Sequence, residues 1–288
     1  MKHRKFCVFI LSHGRPNNVI TLKSLRESNY TGDWYIVCDT EDDTLDDYIK
    51  LFGKDKILIF DKLETSKTFD TFDNFDNRKT IVYARNKCFD LAKELGYDYF
   101  LELDDDYTSF EFRKMKKNKL AHIKCKQLDK LFDIMLDFLD TSGASTVCMA
   151  QGGDFFGGNT SAVYLKRCTR KAMNTFFCRT DKPFKFIGRI NEDVNTYTCS
   201  ANKGLLMLTV ADVNIQQSTT QSNKGGMTET YIEMGTYMKS FYTIICSPQA
   251  VKIATMGVSE KRIHHRINWD RCTPCIVSDR YKKWNMTF

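Results

Sequence analysis

Within its first hundred residues the chain sets out four short apolar runs of strand length, at 5–11, 34–37, 56–60 and 97–103. Continuously apolar runs of this size read as strands buried on both faces. Between the first two, Val19, Leu22 and Leu25 follow Asn17 and Asn18 at helical spacing. Before the fourth, residues 80–95 carry Ile81, Ala84, Cys88, Leu91, Ala92 and Leu95 in a helical pattern that Gly96 closes as a C-terminal cap. Strand, loop, helix and strand in this order predict an open α/β sheet with parallel strands. Such a sheet binds its ligands outside the carboxyl ends of the strands.

At that end the sequence turns polar. Ser12-His13-Gly14-Arg15-Pro16 follows the first run, Cys38-Asp39 the second, and Asp104-Asp105-Asp106 the fourth. Three adjacent carboxylates repel one another unless water or a cation takes up their charge. A solvated turn accommodates them, but the apolar run before them reads as a central strand. Hard oxygen donors at its end suit Mg²⁺ or Mn²⁺, held by one or two carboxylates together with substrate phosphates.

The chain continues with an amphipathic helix at 128–139, a strand at 146–150 and a loop at 151–161 containing four glycines. Alternation predicts strands at 162–165 and 184–187, then a helix opening at Asn191-Glu192-Asp193, a strand at 205–210 and a polar loop at 216–230. Acids at a helix start favour its dipole, so Glu192 and Asp193 read either as capping or as carboxylates in a cleft, where one takes a hydroxyl proton. His264 and His265 read as surface or core histidines, or as an imidazole ligand if the fold returns them to the acids.

At 288 residues, with four prolines and no internal repeat, the chain predicts one domain. The basic start and the apolar run at 6–11 imitate a secretory signal, but the run is short and no small-residue cleavage site follows. No later run approaches the roughly 20 apolar residues of a membrane span. Eleven cysteines, an odd number set mostly in apolar contexts, suit reduced thiols in a cytosol. Cys272 and Cys275 form a lone CxxC, either a zinc site or a turn. Lysine and arginine exceed the acids by 43 − 36 = 7, with acids concentrated in 39–106 and bases in 113–126, 166–185 and 261–283. That distribution suits an anionic ligand or a nucleic acid.

Taken in order, the SHGRP loop, Cys38-Asp39, Ala84-Arg85-Asn86, the acidic triplet, the glycine-rich loop, Asn191-Glu192-Asp193 and a late histidine resemble the nucleotide-sugar glycosyltransferases of the GT-A fold over residues 5–270. The resemblance implies a mixed, mainly parallel sheet flanked by helices in a single domain, with 1–110 as the donor-binding half and 111–288 as the acceptor-binding half. It implies that Asp104 and Asp106, with Asp105 between them, hold a divalent metal (Mn²⁺ or Mg²⁺) on the donor's diphosphate and approach its ribose. Ser12, His13, Gly14, Arg15 and Asp39 would surround the nucleoside, and Arg85 and Asn86 would contact nucleotide or phosphate. Asp193 would be the general base of an inverting enzyme with Glu192 beside it, and His264 or His265 a further metal ligand.

A narrower resemblance is to phage and kinetoplastid-type enzymes that sugar-modify hydroxymethylpyrimidines in DNA. It implies a UDP-sugar donor, a double-stranded DNA partner, no membrane and a cytoplasmic location, in a host cell if phage-encoded. The basic stretches at 166–171 and 262–269 would neutralise phosphates, with aromatics supporting a flipped base, or they form a solvated basic face. Three other readings stay open: transfer to a surface glycan or protein, an accessory nucleic-acid-binding protein whose acids are structural, and a nucleotidyltransferase.

Overall fold

The structure is a computed structural model that describes residues 4–200, 203–217, 237–256 and 261–272. Strand β1 (Phe6–Leu11) lies in the middle of the parallel part of the sheet, and its alternation feeds two cores. Val8 and Ile10 join one core with helices α1 (Ile20–Glu27), α2 (Leu45–Phe52) and α5 (Leu128–Ser142). Cys7, Phe9 and Leu11 join the other, with α4 (Val82–Glu94). A period of two between faces is what a strand covered on both sides requires.

The remaining strands are β2 (Asp33–Asp39), β3 (Ile57–Phe60), β4 (Tyr99–Asp104), β5 (Tyr107–Lys116), β6 (Lys119–Lys124), β7 (Thr146–Gln151), β8 (Cys168–Thr169), β9 (Phe176–Arg179) and β10 (Met207–Gln217). The order β3-β2-β1-β4-β9-β7-β10-β5-β6, with β8 against β10, makes one mixed sheet. Strands β3, β2, β1 and β4 are mutually parallel, as are β7 and β10, while β9 runs antiparallel between β4 and β7. The carboxyl ends of β1, β2, β4 and β7 therefore share one edge. Helices α3 (Lys62–Ser66) and α7 (Glu192–Ser200) join α4 around that edge. Helix α8 (Met238–Cys246) and a separate hairpin of β11 (Val251–Met256) and β12 (Arg262–Ile267) follow, with α9 (Trp269–Cys272) last.

The expected strand at 162–165 is instead α6 (Ala162–Lys166), because the Ser161 hydroxyl accepts the Tyr164 N–H and caps a helical turn. Residues 184–187 take no regular element. Phe184 and Phe186 are core side chains, and Asn86 uses both ends of its amide on the Phe186 backbone, which replaces a sheet ladder. Strands β5, β6 and β9 and helix α2 add to the elements legible in sequence. Cys275 and residues 218–230 lie outside the described residues, and the ten described cysteines are free thiols.

Candidate active site

The acidic triplet divides by the pleat of β4. Phe100, Glu102 and Asp104 point to the α4 face, while Leu101, Leu103 and Asp105 point to the α1 face. Asp105 is buried against the β1 loop, accepting a hydrogen bond from the Ser12 hydroxyl at 2.6 Å and pairing with Arg15 at 2.9 Å. Helix α1 holds the backbone of the turn. Thr21 Oγ1 donates to the Asp104 carbonyl at 2.6 Å and accepts the Tyr107 N–H at 2.9 Å, and the Thr21 N–H donates to the Asp105 carbonyl at 3.0 Å. Burial, then the charges of Asp104 and Asp105, push Asp106 up to about 7. Burial likewise pushes Asp105 up to about 6 against the opposing pull of Arg15.

Around the β1 loop the polar groups form one network. His13 Nδ1 lies 2.9 Å from Asp39, which also takes a hydrogen bond from the buried Lys62 ammonium at 2.9 Å. Burial works against ionisation of Asp39, but His13 and Lys62 outweigh it and hold the carboxyl below its ordinary range. Gly14 sits at φ +69°, a left-handed turn, and its N–H donates to Asp42 at 2.8 Å. Tyr48 accepts the Arg15 N–H at 2.9 Å and bonds the Ser12 hydroxyl at 2.7 Å. Asp42, Tyr48 and Lys62 have no motif of their own in the sequence. Only their position on α2, α3 and the loop after β2 brings them here.

Arg85 joins the two acidic motifs. Its side chain reaches from α4 to Asp104 at 2.9 Å, Glu192 at 3.0 Å and Glu102 at 3.5 Å, with Phe176 and Phe186 against its guanidinium at 4.8 and 5.8 Å. Only 2% of Arg85 is exposed, so it serves as the strut of the site, with its donors turned to carboxylates. Burial, then the charge of Asp193, push Glu192 up to about 7 in spite of Arg85, and burial also raises Asp193. Asp193 accepts the Val194 N–H at 2.7 Å instead of an arginine. Behind the pair, Arg189 ties Asp73 at 2.8 Å to Tyr242 of α8 at 3.0 Å, and Asn191 donates to Thr243 at 2.6 Å. Tyr197 of α7 stacks on Trp269 with ring centres 5.5 Å apart.

The structure thus brings Ser12, His13, Gly14, Arg15, Asp39, Arg85, Asp104, Asp105, Asp106, Glu192 and Asp193 to one edge of the sheet. It turns Asn86 away, fully buried with its amide spent on Phe186, so Asn86 holds the 184–187 segment where nucleotide contact was expected. His264 and His265 stack on each other on β12 with ring centres 4.2 Å apart. Among the described residues no group of three or more His, Cys, Asp or Glu side chains is placed to hold a metal ion. The carboxylates still fit a hard cation that takes one or two protein oxygens and completes its shell with phosphates and water.

A family model described as TET-associated glycosyltransferase matches residues 6–226, more than half of the chain. The chain belongs to this family. The matched span carries the β1 loop, Arg85, the acidic turn and Glu192-Asp193, and it ends before His264. A search of curated protein sequences finds no match for this glycosyltransferase. Solved structures similar to it include glucosyl-3-phosphoglycerate synthase from Mycobacterium tuberculosis in complex with Mg²⁺ and UDP, at 8% identity and TM-score 0.45, covering 92% of this chain and 88% of that one. S. aureus TarS 1–349 is 13% identical at TM-score 0.43, covering 84% of this chain and 65% of that one. CMP:2-keto-3-deoxy-manno-octonic acid synthetase complexed with CTP is 10% identical at TM-score 0.41, covering 80% and 95%. The architecture is a mixed, mainly parallel sheet flanked by helices. No described helix is long and apolar enough to cross a membrane.

Proposed function

We propose that this glycosyltransferase moves a sugar from a nucleoside-diphosphate sugar, a UDP-sugar, to the hydroxymethyl oxygen of a modified pyrimidine in DNA. The observation that supports it best is Arg85, which spans from Asp104 to Glu192 and draws a donor-side acid and an acceptor-side acid into one buried cluster. The family's association with TET supports the DNA acceptor. Ser12, His13, Gly14 and Asp39 receive the nucleoside. Arg15 faces the diphosphate, for its Nε is buried without a hydrogen-bond partner among the described residues, and an anionic oxygen satisfies it. Asp104 and Asp106 hold a divalent cation, which when bound offsets the negative charge that builds on the departing diphosphate.

Asp193 takes the proton of the acceptor hydroxyl as that oxygen attacks the anomeric carbon, and the bond to the diphosphate oxygen breaks on the opposite side, with inversion. A buried carboxylate of raised pKa is the stronger base in this role. Glu192 is less suited, because its oxygen is already paired with Arg85. Asp193→Asn is expected to lower transfer by at least about a thousandfold while UDP still binds. Asp104→Asn with Asp106→Asn is expected to lose both transfer and cation-dependent UDP binding in titration calorimetry. A double variant that transfers sugar normally contradicts the assignment.

A further inference from the structure

The surface beside the site carries a second pattern. Strands β5 and β6 form a hairpin at the end of the sheet, with Phe112 opposite Ile123 and Lys116 opposite Lys119. Residues 112–128 contain six lysines and no acid, and Lys114, Lys116, Lys117, Lys119, Lys124 and Lys126 are all exposed. Lysines on a sheet edge ordinarily guard against strand pairing. This hairpin, however, meets a second stretch with no acid, 155–180, in which Lys166, Arg167 and Arg170 are exposed. The two stretches pack together: Asn159 donates to the Asn118 carbonyl at 3.4 Å, Arg113 stacks over Phe155 at 4.2 Å, and Leu120 packs with Phe155 and Tyr164.

Phe156 stands on the glycine-rich loop at the start of that second stretch, 80% exposed, the most exposed large apolar side chain among the described residues. Leaving such a ring in water forgoes the gain of burying it, so its presentation to solvent next to Gly157 at φ +89° asks for a partner. The loop leaves the carboxyl end of β7 and is linked to the acidic turn. Asn174 donates to Gln151 at the root of the loop, and the Asn174 carbonyl accepts the hydroxyl of Tyr107, the residue after Asp106, at 2.7 Å. Asp193 in turn is only 9% exposed, and a hydroxymethyl group inside a stacked duplex does not reach a carboxylate so enclosed.

We propose that the β5–β6 hairpin and the glycine-rich loop form the duplex-binding surface, with the lysines on phosphates and Phe156 entering the base stack where the target pyrimidine is extruded. This rests on the DNA-acceptor reading and gives it a surface and a wedge. Exposed lysines neutralise backbone phosphates without regard to sequence, and an apolar wedge fills a vacated step in a duplex. An exposed aromatic followed by two glycines, on a loop packed against the basic hairpin, fits that chemistry.

The test uses the full chain with a short duplex, unmodified or hydroxymethylated, carrying 2-aminopurine beside the target. Affinity is measured by fluorescence anisotropy across a salt series. A variant combining K114Q, K116Q, K119Q and K124Q is expected to bind about tenfold or more weakly at physiological salt, its salt slope falling by about 0.9 for each phosphate it no longer neutralises. F156A is expected to keep the slope and lose the 2-aminopurine signal of unstacking. Both variants should retain UDP binding, which shows that they fold. A quadruple variant with wild-type affinity and slope overturns the surface, and a wild-type 2-aminopurine signal in F156A overturns the wedge. Preferential binding of phosphatidylserine vesicles, abolished in the same variants, assigns the surface to a membrane and also overturns the proposal. Duplex binding without sugar transfer leaves the surface standing and removes the hydroxymethylpyrimidine reading instead.

Discussion

Glu102 points into the core beside Arg85 with Oε1 lacking a hydrogen-bond partner among the described residues, and burial pushes its pKa up to about 8. The folded chain therefore holds this proton more tightly than the unfolded one. Its contribution to stability is full below about pH 4.5 and is lost as pH rises to about 8. Glu102→Gln, which keeps the shape and removes the titration, should raise the melting temperature relative to wild type far more at about pH 9 than at about pH 5. Equal shifts at both values contradict a protonated Glu102. Glu102 stood in plain view in Leu101-Glu102-Leu103, yet strand alternation alone does not distinguish a core acid from an outward one. What decides it is Arg85, seventeen residues earlier and on another element.

Helix α1 holds the backbone of the acidic turn through Thr21. Thr21→Val is nearly isosteric but removes the hydroxyl that holds the Asp104 carbonyl and the Tyr107 N–H, which should cost about 1–3 kcal/mol in denaturant unfolding and raise the KM for donor. Unchanged stability and KM contradict its anchoring role. Helix α7 depends on its approach in a similar way. Gly188 sits at φ +81°, and a Cβ there collides with the Asn195 amide, so Gly188→Ala should destabilise by about 1–3 kcal/mol and displace Glu192 and Asp193. A variant with wild-type stability and kcat contradicts this.

The same scale explains what was legible in the chain. Strands β1 to β4 and helices α1 and α4 were readable because double burial and helical spacing write themselves into apolar runs. The β5–β6 hairpin was not, since beyond Phe112 lysines at 114, 116, 117, 119 and 124 take the place of an apolar face. Residues 162–165 alternate like a strand, but a single capping serine decides for helix. Asp39 and the acidic triplet stand out because each follows an apolar run, and Glu192 and Asp193 because they open a helix. The strut between them does not, because the partners of Arg85 lie up to 107 residues away.

At the scale of the molecule, the sheet separates two tasks. Its parallel block, β3-β2-β1-β4, presents the β1 loop, Asp39 and the acidic turn at one edge, and the strands beyond β9 carry the glycine-rich loop and the basic hairpin. The excess of seven positive charges lies mostly outside the acid-rich stretch 39–106, a distribution that suits the anionic acceptor of the proposed function. The most direct test is to incubate the protein with Mn²⁺, a panel of nucleotide sugars and duplex DNA containing hydroxymethylcytosine or hydroxymethyluracil, and to weigh the nucleosides after digestion. The account predicts that one donor adds the mass of a single sugar residue to the hydroxymethyl nucleoside and that Asp193→Asn abolishes the gain. No gain on DNA with any donor, alongside a gain on a glycan or protein acceptor, would contradict it.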